Sequence, residues 1–522
     1  MGHDDDTMVM KTVNTLLILL LTVMSAFTQN KAVEKIIATG KTDNQVMRHL
    51  DVLANRFGGR PVGSDAYENA AEWLASEYRK WGIEVEMHLA GTMPVGFNRG
   101  PWFGRMLGGD QPMTLHFVTP SYTSGTKGAQ RGHVLIEPRT REEFNRMKGA
   151  LKGAWVLIGG ESTGRVIDQS AKADARRDSI KAINNEIARA NAEIRRRNYT
   201  ENRQDAMLPL NEEPALFLHE MREAGILGTI QSAPVPLVAL YNSTLVFDST
   251  MTFDRLPELP DIKLDKHQYA VIKQMATEKR VFELEFDIRN HFKPGPVKFY
   301  SVIGKIKGTK YPDEYVILSG HLDSYDAATG GVDCGSGVAS VIEAARLIAL
   351  SGAKPKRTIL FIAFAGEEFG LLGAKAWTET YAQKLGKIAN VFNRDGAQLA
   401  PVRVNVHSSA YEDFVKICSP LKSIREDYPF EVTEVKNARP KPAQPGGSDA
   451  SMFALHGVPT ITLGEEDIKG YNFEYREVWH TERDLYSKSI AEYQEYAAIV
   501  LAICGLGVAN LDHLLSREGM YR

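Results

Sequence analysis

Apolar residues in the second half of this chain form short runs separated by longer segments. Nearly continuous runs are typical of strands buried on both faces, and the intervening segments have helical spacing. The runs lie at 315–318, 358–365, 388–392 and 459–463, and the helical segments lie at 337–350, 371–381 and 490–506. The alternation predicts an α/β fold in which a mostly parallel central sheet is flanked by helices. The segment 490–506 is expected to be a long helix that is apolar on one side.

The first half of the chain divides into two pieces. Residues 30–121 begin with segments 33–53 and 66–81, whose apolar spacing predicts helices on either side of a glycine-containing turn. Residues 122–292 combine strand-like runs with a helix ending in glycine, which predicts a smaller α/β or α+β module. We therefore expect this block to be an insert, and residues 30–121 and 293–522 to form the main domain together.

A charged segment within the insert, residues 171–197, contains no proline or glycine. Its apolar residues follow alternating steps of three and four, at Ile180, Ile183, Ile187, Ala190 and Ile194. This short stripe predicts a helical arm. Two placements stay open: the arm packs on its own domain, or it forms a homodimer contact.

The composition and the N-terminus restrict the class of protein. Hydrophobic residues make up 43% and charged residues 24% of the 522 residues, and the formal net charge is -3. This balance is globular and gives no reason to expect nucleic acid or an anionic membrane as a partner. Lys11, the apolar run 16–24 and the small residues that follow have the order of a secretory signal, and the run is too short to span a bilayer. We expect residues 1–9 to be a leader or tag, residues 10–28 to be a signal peptide, and the mature protein to be secreted or periplasmic, without a stable membrane span.

The cysteines and sequons add little to this picture. The three cysteines, Cys334, Cys418 and Cys504, form no CxxC pair, which argues against a disulfide scaffold and a zinc ribbon. Whether any pair is bridged stays open. Asn198 and Asn242 begin glycosylation sequons, which matter only in a host that glycosylates.

Three predicted strands end in residues that can bind metal. His321 follows the run at 315–318, Glu367 and Glu368 follow 358–365, and Asp395 follows 388–392. Ligands gather at the carboxyl ends of parallel strands, so these side chains are expected at one edge of the sheet. Asp333, in a glycine-rich loop, and His480 complete a set of two histidines and three carboxylates. That set can hold two zinc ions if one carboxylate bridges them.

The spacing also suggests roles for individual residues. Asp333 is the natural bridge, because the glycines around it let its backbone approach both metal ions. Adjacent residues that leave a strand point in opposite directions, so one of Glu367 and Glu368 is expected to bind metal and the other to act as a general base. A water acidified by the two ions would be the nucleophile. Asp323, two residues after His321, is expected to accept the imidazole N–H and fix its tautomer.

These motifs resemble those of the co-catalytic di-zinc exopeptidases, a group that includes leucyl aminopeptidases, glutamate carboxypeptidase and carboxypeptidase Q. The shared pieces are His321-Leu-Asp-Ser-Tyr-Asp326, Gly331-Val-Asp333, Ala365-Gly-Glu-Glu368, Asn393-Arg-Asp395 and Trp479-His-Thr-Glu-Arg-Asp484. Carboxypeptidase Q looks most similar, and the likeness extends over nearly the whole mature chain. It implies that the block 122–292 is a protease-associated insert, and that Ser448-Asp449 lies in a loop near the cleft.

The resemblance also implies a specific ligand set. His321 and Asp395 would bind one zinc ion, Glu368 and His480 would bind the other, and Asp333 would bridge them. Glu367 would then be the general base. The sequence departs from the family at Cys334, where a second acidic residue is usual. Two interpretations stay open: a thiol close to the metal ions, or a plain replacement by a small residue.

Three classes of function are consistent with these residues. The first is an exopeptidase for short peptides, acting as an aminopeptidase or dipeptidase, with a carboxypeptidase also open. The second is a non-catalytic receptor-like protein on the same fold, which the complete ligand set disfavours. The third is a single-zinc glutaminyl cyclase, which the predicted insert disfavours. Side-chain preference does not follow from the sequence.

Overall fold

The structure is a computed structural model that describes residues 30–109, 112–396, 398–518 and 520–521. The predicted leader and signal peptide, residues 1–9 and 10–28, lie outside the described residues. The predicted α/β fold is observed, and it consists of a main domain and an inserted domain.

A five-stranded sheet forms the centre of the main domain. Its strands lie in the order Glu84–Met93, Val297–Ile306, Arg357–Phe364, Tyr311–His321 and Ile388–Asn393. The last three are mutually parallel, and the first two pair antiparallel. The parallel part is therefore the part that carries the predicted site residues.

Alternation along the strand Arg357–Phe364 explains why both faces of the sheet are covered. Ile359 and Phe361 join a core formed with helices Asp65–Lys80, Gly337–Ser351 and Ala491–Ala509. Leu360 and Ile362 point to the other face, toward helix Leu372–Thr380. Every residue of this strand is buried, as the continuous apolar run predicts.

The remaining elements connect and cover these layers. In the main domain, further helices lie at 30–42, Val46–Asp51, Val52–Phe57, Gly331–Ser336, Ser408–Ile417 and Ala450–Ala454, with short 3-10 turns at Ala382–Lys387, Ser419–Ser423, Tyr475–Glu477 and Tyr486–Lys488. A small sheet is formed by Glu431–Val435, Ala400–His407 and Leu463–Glu466, and a two-stranded ribbon by His291–Lys293 and Gly96–Asn98. Gly331–Ser351 is apolar and long enough to cross a membrane, but its most apolar window is 83% buried inside the protein, so it is a core helix.

Three predicted elements of the main domain differ from those observed. The helix expected over 33–53 is interrupted near Asn44, whose side chain accepts the backbone N–H of Val46. The run 459–463 does not continue the central sheet as a ladder strand. The side chain of Asn390 instead exchanges two hydrogen bonds with the backbone of Ile461. The final helix, Ala491–Ala509, is buried almost all round rather than on one side.

The insert begins earlier than the sequence predicts. Its eight-stranded sheet runs in the order Met113–Thr114, Trp102–Gly108, Phe282–Ile288, Gln130–Ile136, Trp155–Glu161, Gly228–Ala233, Asp261–Asp265 and Phe117–Val118. Three of these strands precede the expected boundary at residue 122: the two edge strands, Met113–Thr114 and Phe117–Val118, and the strand Trp102–Gly108. We use the term insert domain for residues 102–288. Its assignment to the protease-associated class stays a prediction.

The helices of the insert domain include the predicted arm. They lie at Arg141–Met147, Ala171–Thr200, Leu218–Glu223, Ser243–Val246 and Lys266–Thr277, with 3-10 turns at Lys148–Ala150 and Phe253–Arg255. The arm is the helix Ala171–Thr200, and three of the five residues of its predicted stripe are covered. Ile180, Ile187 and Ile194 are at least partly buried, whereas Ile183 and Ala190 are exposed.

A ladder of asparagines, seven residues apart, holds the arm against the extended segment that follows it. Asn184, Asn191 and Asn198 each donate to a backbone carbonyl and accept the backbone N–H of the same partner residue. Their partners are Asn211, Leu208 and Asp205, which are three residues apart. Seven helical residues rise about 10.5 Å, close to the length of three extended residues, so the two periods match. The arm therefore packs on its own chain, and the amide of the Asn198 sequon is engaged by the backbone.

Candidate active site

The three parallel strands bring the predicted residues to one edge of the sheet. His321 is the last residue of its strand, Asp395 lies two residues beyond Ile388–Asn393, and Glu367 and Glu368 follow Arg357–Phe364. The glycine-rich loop and the His480 segment approach the same edge. We call His321, Asp333, Glu368, Asp395 and His480 the five-residue cluster.

Asp333 lies between the two histidines. Its Oδ1 is 3.2 Å from Nε2 of His321, and its Oδ2 is 3.6 Å from Nε2 of His480. Asp395 Oδ1 is 3.1 Å from the same His321 nitrogen, and Glu368 Oε2 is 3.0 Å from the same His480 nitrogen. The cluster thus divides into two halves that share one carboxylate.

Asp484 and Arg60 hold the loop that carries Asp333. The Asp484 carboxylate accepts the backbone N–H of Val332 at 2.5 Å and that of Asp333 at 3.3 Å. The guanidinium of Arg60, which is fully buried, donates to the carbonyls of Thr329 at 2.9 Å and Gly330 at 3.2 Å. The Asp484 carboxylate therefore accepts the backbone N–H groups of this short loop, and the Arg60 guanidinium donates to its backbone carbonyls. The short helix that follows, Tyr486–Lys488, begins after Leu485 and has no side-chain cap, so Asp484 serves the loop and not a helix end.

Asp323 is used differently from the sequence prediction. Nδ1 of His321 is 2.9 Å from the backbone carbonyl of Asp323 and 3.8 Å from its carboxylate. The carboxylate instead accepts the backbone N–H groups of Gly366, Glu367 and Glu368 at 2.8, 3.2 and 3.2 Å. The imidazole is thus oriented by main chain, and the carboxylate fixes the turn that presents the two glutamates.

Negative charge in this region lacks full compensation within the described residues. Oε1 of Glu368 and both carboxylate oxygens of Asp449 are buried without a hydrogen-bond partner among them. Burial raises the pKa of Glu367 to about 10, and it raises the pKa of Asp449 well above its usual range. Burial lowers the pKa of His480 to about 4, which keeps that imidazole neutral and able to bind a cation.

Cys334 lies beside one half of the cluster, which favours the first of the two interpretations of this residue. Its Sγ is buried and donates to the Arg394 carbonyl at 3.2 Å. Ligand atoms of His321, Cys334 and Asp395 lie within 4.8 Å of one another, and so do those of His321, Asp333 and Glu368.

Aromatic side chains surround His480. The ring of Tyr325 is 4.5 Å from the imidazole, and Trp479 stacks on it at 4.1 Å between ring centroids. Tyr325 also faces Tyr241 of the insert domain, whose ring packs on Phe369 at 4.3 Å. The insert domain therefore contributes to the wall of the site.

The sequence prediction missed several residues of this site. The hydroxyl of Tyr475 lies against Gly396, the residue after Asp395, so closely that an added Cβ on Gly396 would collide with it. Burial, with the charges of Asp333 and Asp395, raises the pKa of Tyr475 far above its usual range. Tyr241 and Tyr475 do not directly follow a predicted strand and belong to no motif of metal-binding residues. The local sequence therefore gave no reason to place them in the site. Asp449 was noted only as part of a loop near the cleft.

The comparisons with known proteins agree with this geometry. Residues 301–504 match the family model described as peptidase family M28. Carboxypeptidase Q from Mus musculus is 23% identical over 94% of this chain and 90% of its own length. Carboxypeptidase Q from Homo sapiens gives the same identity and the same two shares.

Two solved structures share the fold. A peptidase M28 precursor from Shewanella amazonensis aligns with a TM-score of 0.57 at 20% identity, covering 94% of this chain and 99% of that chain. BSAP, a zinc aminopeptidase from Bacillus subtilis, aligns with a TM-score of 0.52 at 16% identity, covering 92% and 97%. The predicted fold class and family resemblance are therefore confirmed.

Proposed function

Because residues 301–504 match the model of peptidase family M28, we propose that this chain is a zinc-dependent exopeptidase that acts on short peptides. It would be an aminopeptidase or a dipeptidase and would hold two zinc ions. The observation that carries the proposal is the position of Asp333, whose two oxygens face His321 and His480 separately. The names carboxypeptidase Q and zinc aminopeptidase among the similar proteins support it.

The residues of the cluster fit two zinc ions. Imidazole nitrogens and carboxylate oxygens are ligands that zinc accepts, and a catalytic site uses about three protein ligands for each ion. His321, Asp395 and one oxygen of Asp333 would hold the first ion, and His480, Glu368 and the other oxygen would hold the second. The unpartnered Oε1 of Glu368 and the uncompensated charge of the neighbouring carboxylates are consistent with cations at these positions.

Zinc ions bound there would polarise the scissile carbonyl and acidify a water molecule. Glu367 would take the proton of the attacking water and pass it to the leaving amine. Burial holds the pKa of Glu367 high in the metal-free protein, and nearby cations would lower it toward the range of a general base. The hydrogen bonds from Gly366 and Glu367 to Asp323 fix the turn that places this carboxylate.

The experiment that tests the proposal is mass spectrometry of the products from zinc-loaded protein. Matched short peptides would be supplied unblocked, N-acetylated and C-amidated. Removal of the first residue that depends on a free amine would identify an aminopeptidase, and cleavage confined to dipeptides would identify a dipeptidase. If no peptide is cleaved while zinc is bound, the proposed function is wrong.

A further inference from the structure

The loop that carries Asp333 places a thiol beside one half of the five-residue cluster. Sγ of Cys334, a ring nitrogen of His321 and a carboxylate oxygen of Asp395 lie within 4.8 Å of one another. Cys334 is fully buried, and His321 is 1% exposed. A thiolate, an imidazole and a carboxylate are all ligands that zinc accepts. A sulfur donor therefore lies next to the ion proposed for this half.

The start of helix Gly337–Ser351 leaves space for this sulfur. A Cβ added to Gly337 would lie 2.8 Å from Sγ of Cys334 and 2.5 Å from the carbonyl oxygen of Arg394. A larger residue at position 337 would therefore displace the thiol or the backbone that precedes Asp395. Sγ donates to the Arg394 carbonyl at 3.2 Å, and a thiol is a weak donor. The sulfur is thus kept close to Asp395 by a hydrogen bond that costs little to break.

A buried acidic side chain lies on the same side of the cluster. The side-chain amide of Asn393, which ends the strand before Asp395, donates to the hydroxyl of Ser448 at 2.8 Å. This contact attaches Ser448 and Asp449 to the strand end that supplies Asp395. Asp449 is fully buried, and within the described residues neither of its carboxylate oxygens has a hydrogen-bond partner. A cation bound beside Asp395 would offset the cost of burying this carboxylate.

The two halves of the cluster offer different numbers of donors once the thiol is counted. Zinc bonds of about 2.1 Å to nitrogen and 2.3 Å to sulfur put the donor atoms of a tetrahedral site roughly 3.5 Å apart. Donors that lie within 4.8 Å must close by no more than about 1.3 Å, which rotation of the Cys334 side chain can supply. With one oxygen of Asp333, the His321 half would then offer four ligands, the number typical of a closed zinc site. The His480 half would offer three and keep a position open.

We propose that Cys334 is a thiolate ligand of the ion held by His321 and Asp395, and that this half is the tighter of the two metal sites. The inference rests on the two-ion site of the proposed function and adds a ligand to it. Binding replaces the S–H bond with a metal–sulfur bond, and the thiol proton leaves to solvent. The sulfur makes this half selective for thiophilic metals, because the other half offers nitrogen and oxygen donors alone.

Titration of the metal-free protein with cobalt(II) tests the ligand directly. A cobalt–thiolate bond gives a charge-transfer band in the near ultraviolet that nitrogen and oxygen ligands do not give. In the wild type, this band should reach full intensity with the first equivalent of cobalt, because the tighter site contains the sulfur. Cys334→Ser should lose the band. Cys418→Ser is the matched control and should keep it, because Cys418 is equally buried but directly follows helix Ser408–Ile417 in the core.

X-ray absorption of the zinc-loaded protein gives a second measurement. The wild type should show a sulfur shell at about 2.3 Å, with one sulfur for two zinc ions, and Cys334→Ser should lack it. Cys334→Asp, which restores the acidic residue usual in the family, should also lack it and serves if the serine variant fails to fold. Loss of a ligand should weaken zinc binding in Cys334→Ser by more than roughly 100-fold, beyond the range typical of a residue that only orients a ligand.

The outcomes separate this inference from the proposed function. A wild-type protein that binds zinc without a sulfur shell would overturn the inference and leave the proposed function standing, and a cobalt band that persists in Cys334→Ser would do the same. A band that appears only with the second equivalent of cobalt would contradict the assignment of the tighter site. A sulfur shell that depends on Cys334, in a protein that cleaves no peptide, would support the inference and contradict only the proposed function.

Discussion

The carboxylate of Asp484 accepts the backbone N–H of Asp333, and this contact joins the segments that carry two residues of the five-residue cluster. Asp484 lies four residues after His480, while Asp333 lies between His321 and His480. The position of the shared carboxylate therefore depends on the same segment that supplies the second imidazole.

Asp484→Asn is expected to weaken zinc binding by roughly 10- to 100-fold, as is typical when a residue that orients metal ligands is changed. The amide can keep one acceptor, but its NH2 group would face a backbone N–H and repel it. Competition with a chromophoric chelator measures the affinity. Asp512→Asn is the control, because Asp512 pairs with Lys310 and Lys356, and Lys356 precedes the strand Arg357–Phe364 at the end opposite the cluster. Equal zinc affinity in Asp484→Asn and the wild type would contradict a positioning role.

Glu367→Gln is expected to lower kcat by roughly 100- to 10,000-fold while zinc content stays at the wild-type level, because the amide cannot accept a proton. Steady-state kinetics and elemental analysis of the same preparation measure the two quantities. If the variant loses zinc together with activity, Glu367 is a ligand and not the base.

Asp333→Ala is expected to impair zinc binding at both positions, whereas His321→Ala and His480→Ala should each impair one, because among the described residues Asp333 alone pairs with both histidines. Zinc content after dialysis against a weak chelator measures the effect. Lowering the pH should release zinc from the wild-type protein, since protons compete for imidazole and carboxylate ligands. A wild-type protein that retains a single zinc ion at saturation would contradict the two-ion proposal.

Glu343→Gln is expected to destabilise the main domain at pH 7. Glu343 is fully buried and contacts His49 at 3.0 Å and Arg346 at 2.8 Å. Removing one member of such a buried set costs roughly 3–5 kcal/mol. Burial raises the pKa of Glu343, but the hydrogen bonds from His49 and Arg346 outweigh it, so the pKa is lower in the folded protein than in the unfolded chain.

The sign of the pH dependence follows from that lowered pKa. The stabilisation by Glu343 is present above the unfolded pKa and is lost as the pH falls through the folded pKa. The difference in thermal midpoint between wild type and Glu343→Gln should therefore shrink on acidification. Glu72→Gln, at an exposed position of the same domain, should change the midpoint little. A gap that widens in acid would contradict the assigned sign.

The double substitution Asn184→Ala and Asn191→Ala is expected to loosen the extended segment that follows the arm. Each substitution leaves a backbone carbonyl and a backbone N–H of the extended segment without their asparagine partner. These bonds are partly buried, so each lost bond should cost about 1 kcal/mol. Limited trypsin digestion should cleave the arm faster than in Ser179→Ala, a change on its exposed face. Unchanged cleavage rates would show that packing of the isoleucines alone holds the arm.

The sequence by itself determined the central strands and the residues at their ends. Continuous apolar runs fix strands that are buried on both faces, so His321, Glu367, Glu368 and Asp395 could be placed at one edge of the sheet. The arm was also predictable, because charge and apolar spacing are local properties of residues 171–197.

Only the tertiary structure decided which groups those residues meet. The spacing of Asp323 and His321 suggests a contact between their side chains. The Asp323 carboxylate instead accepts the backbone N–H groups of the turn that contains Gly366 and Glu368, which follows another strand. Tyr241 comes from an insert that is distant in sequence from the strands of the site. The insert itself begins before residue 122, because three strands of its sheet, including both edge strands, come from residues 102–118. Local spacing carries no information about such long-range pairing, since the partners are brought together only when the sheets pack.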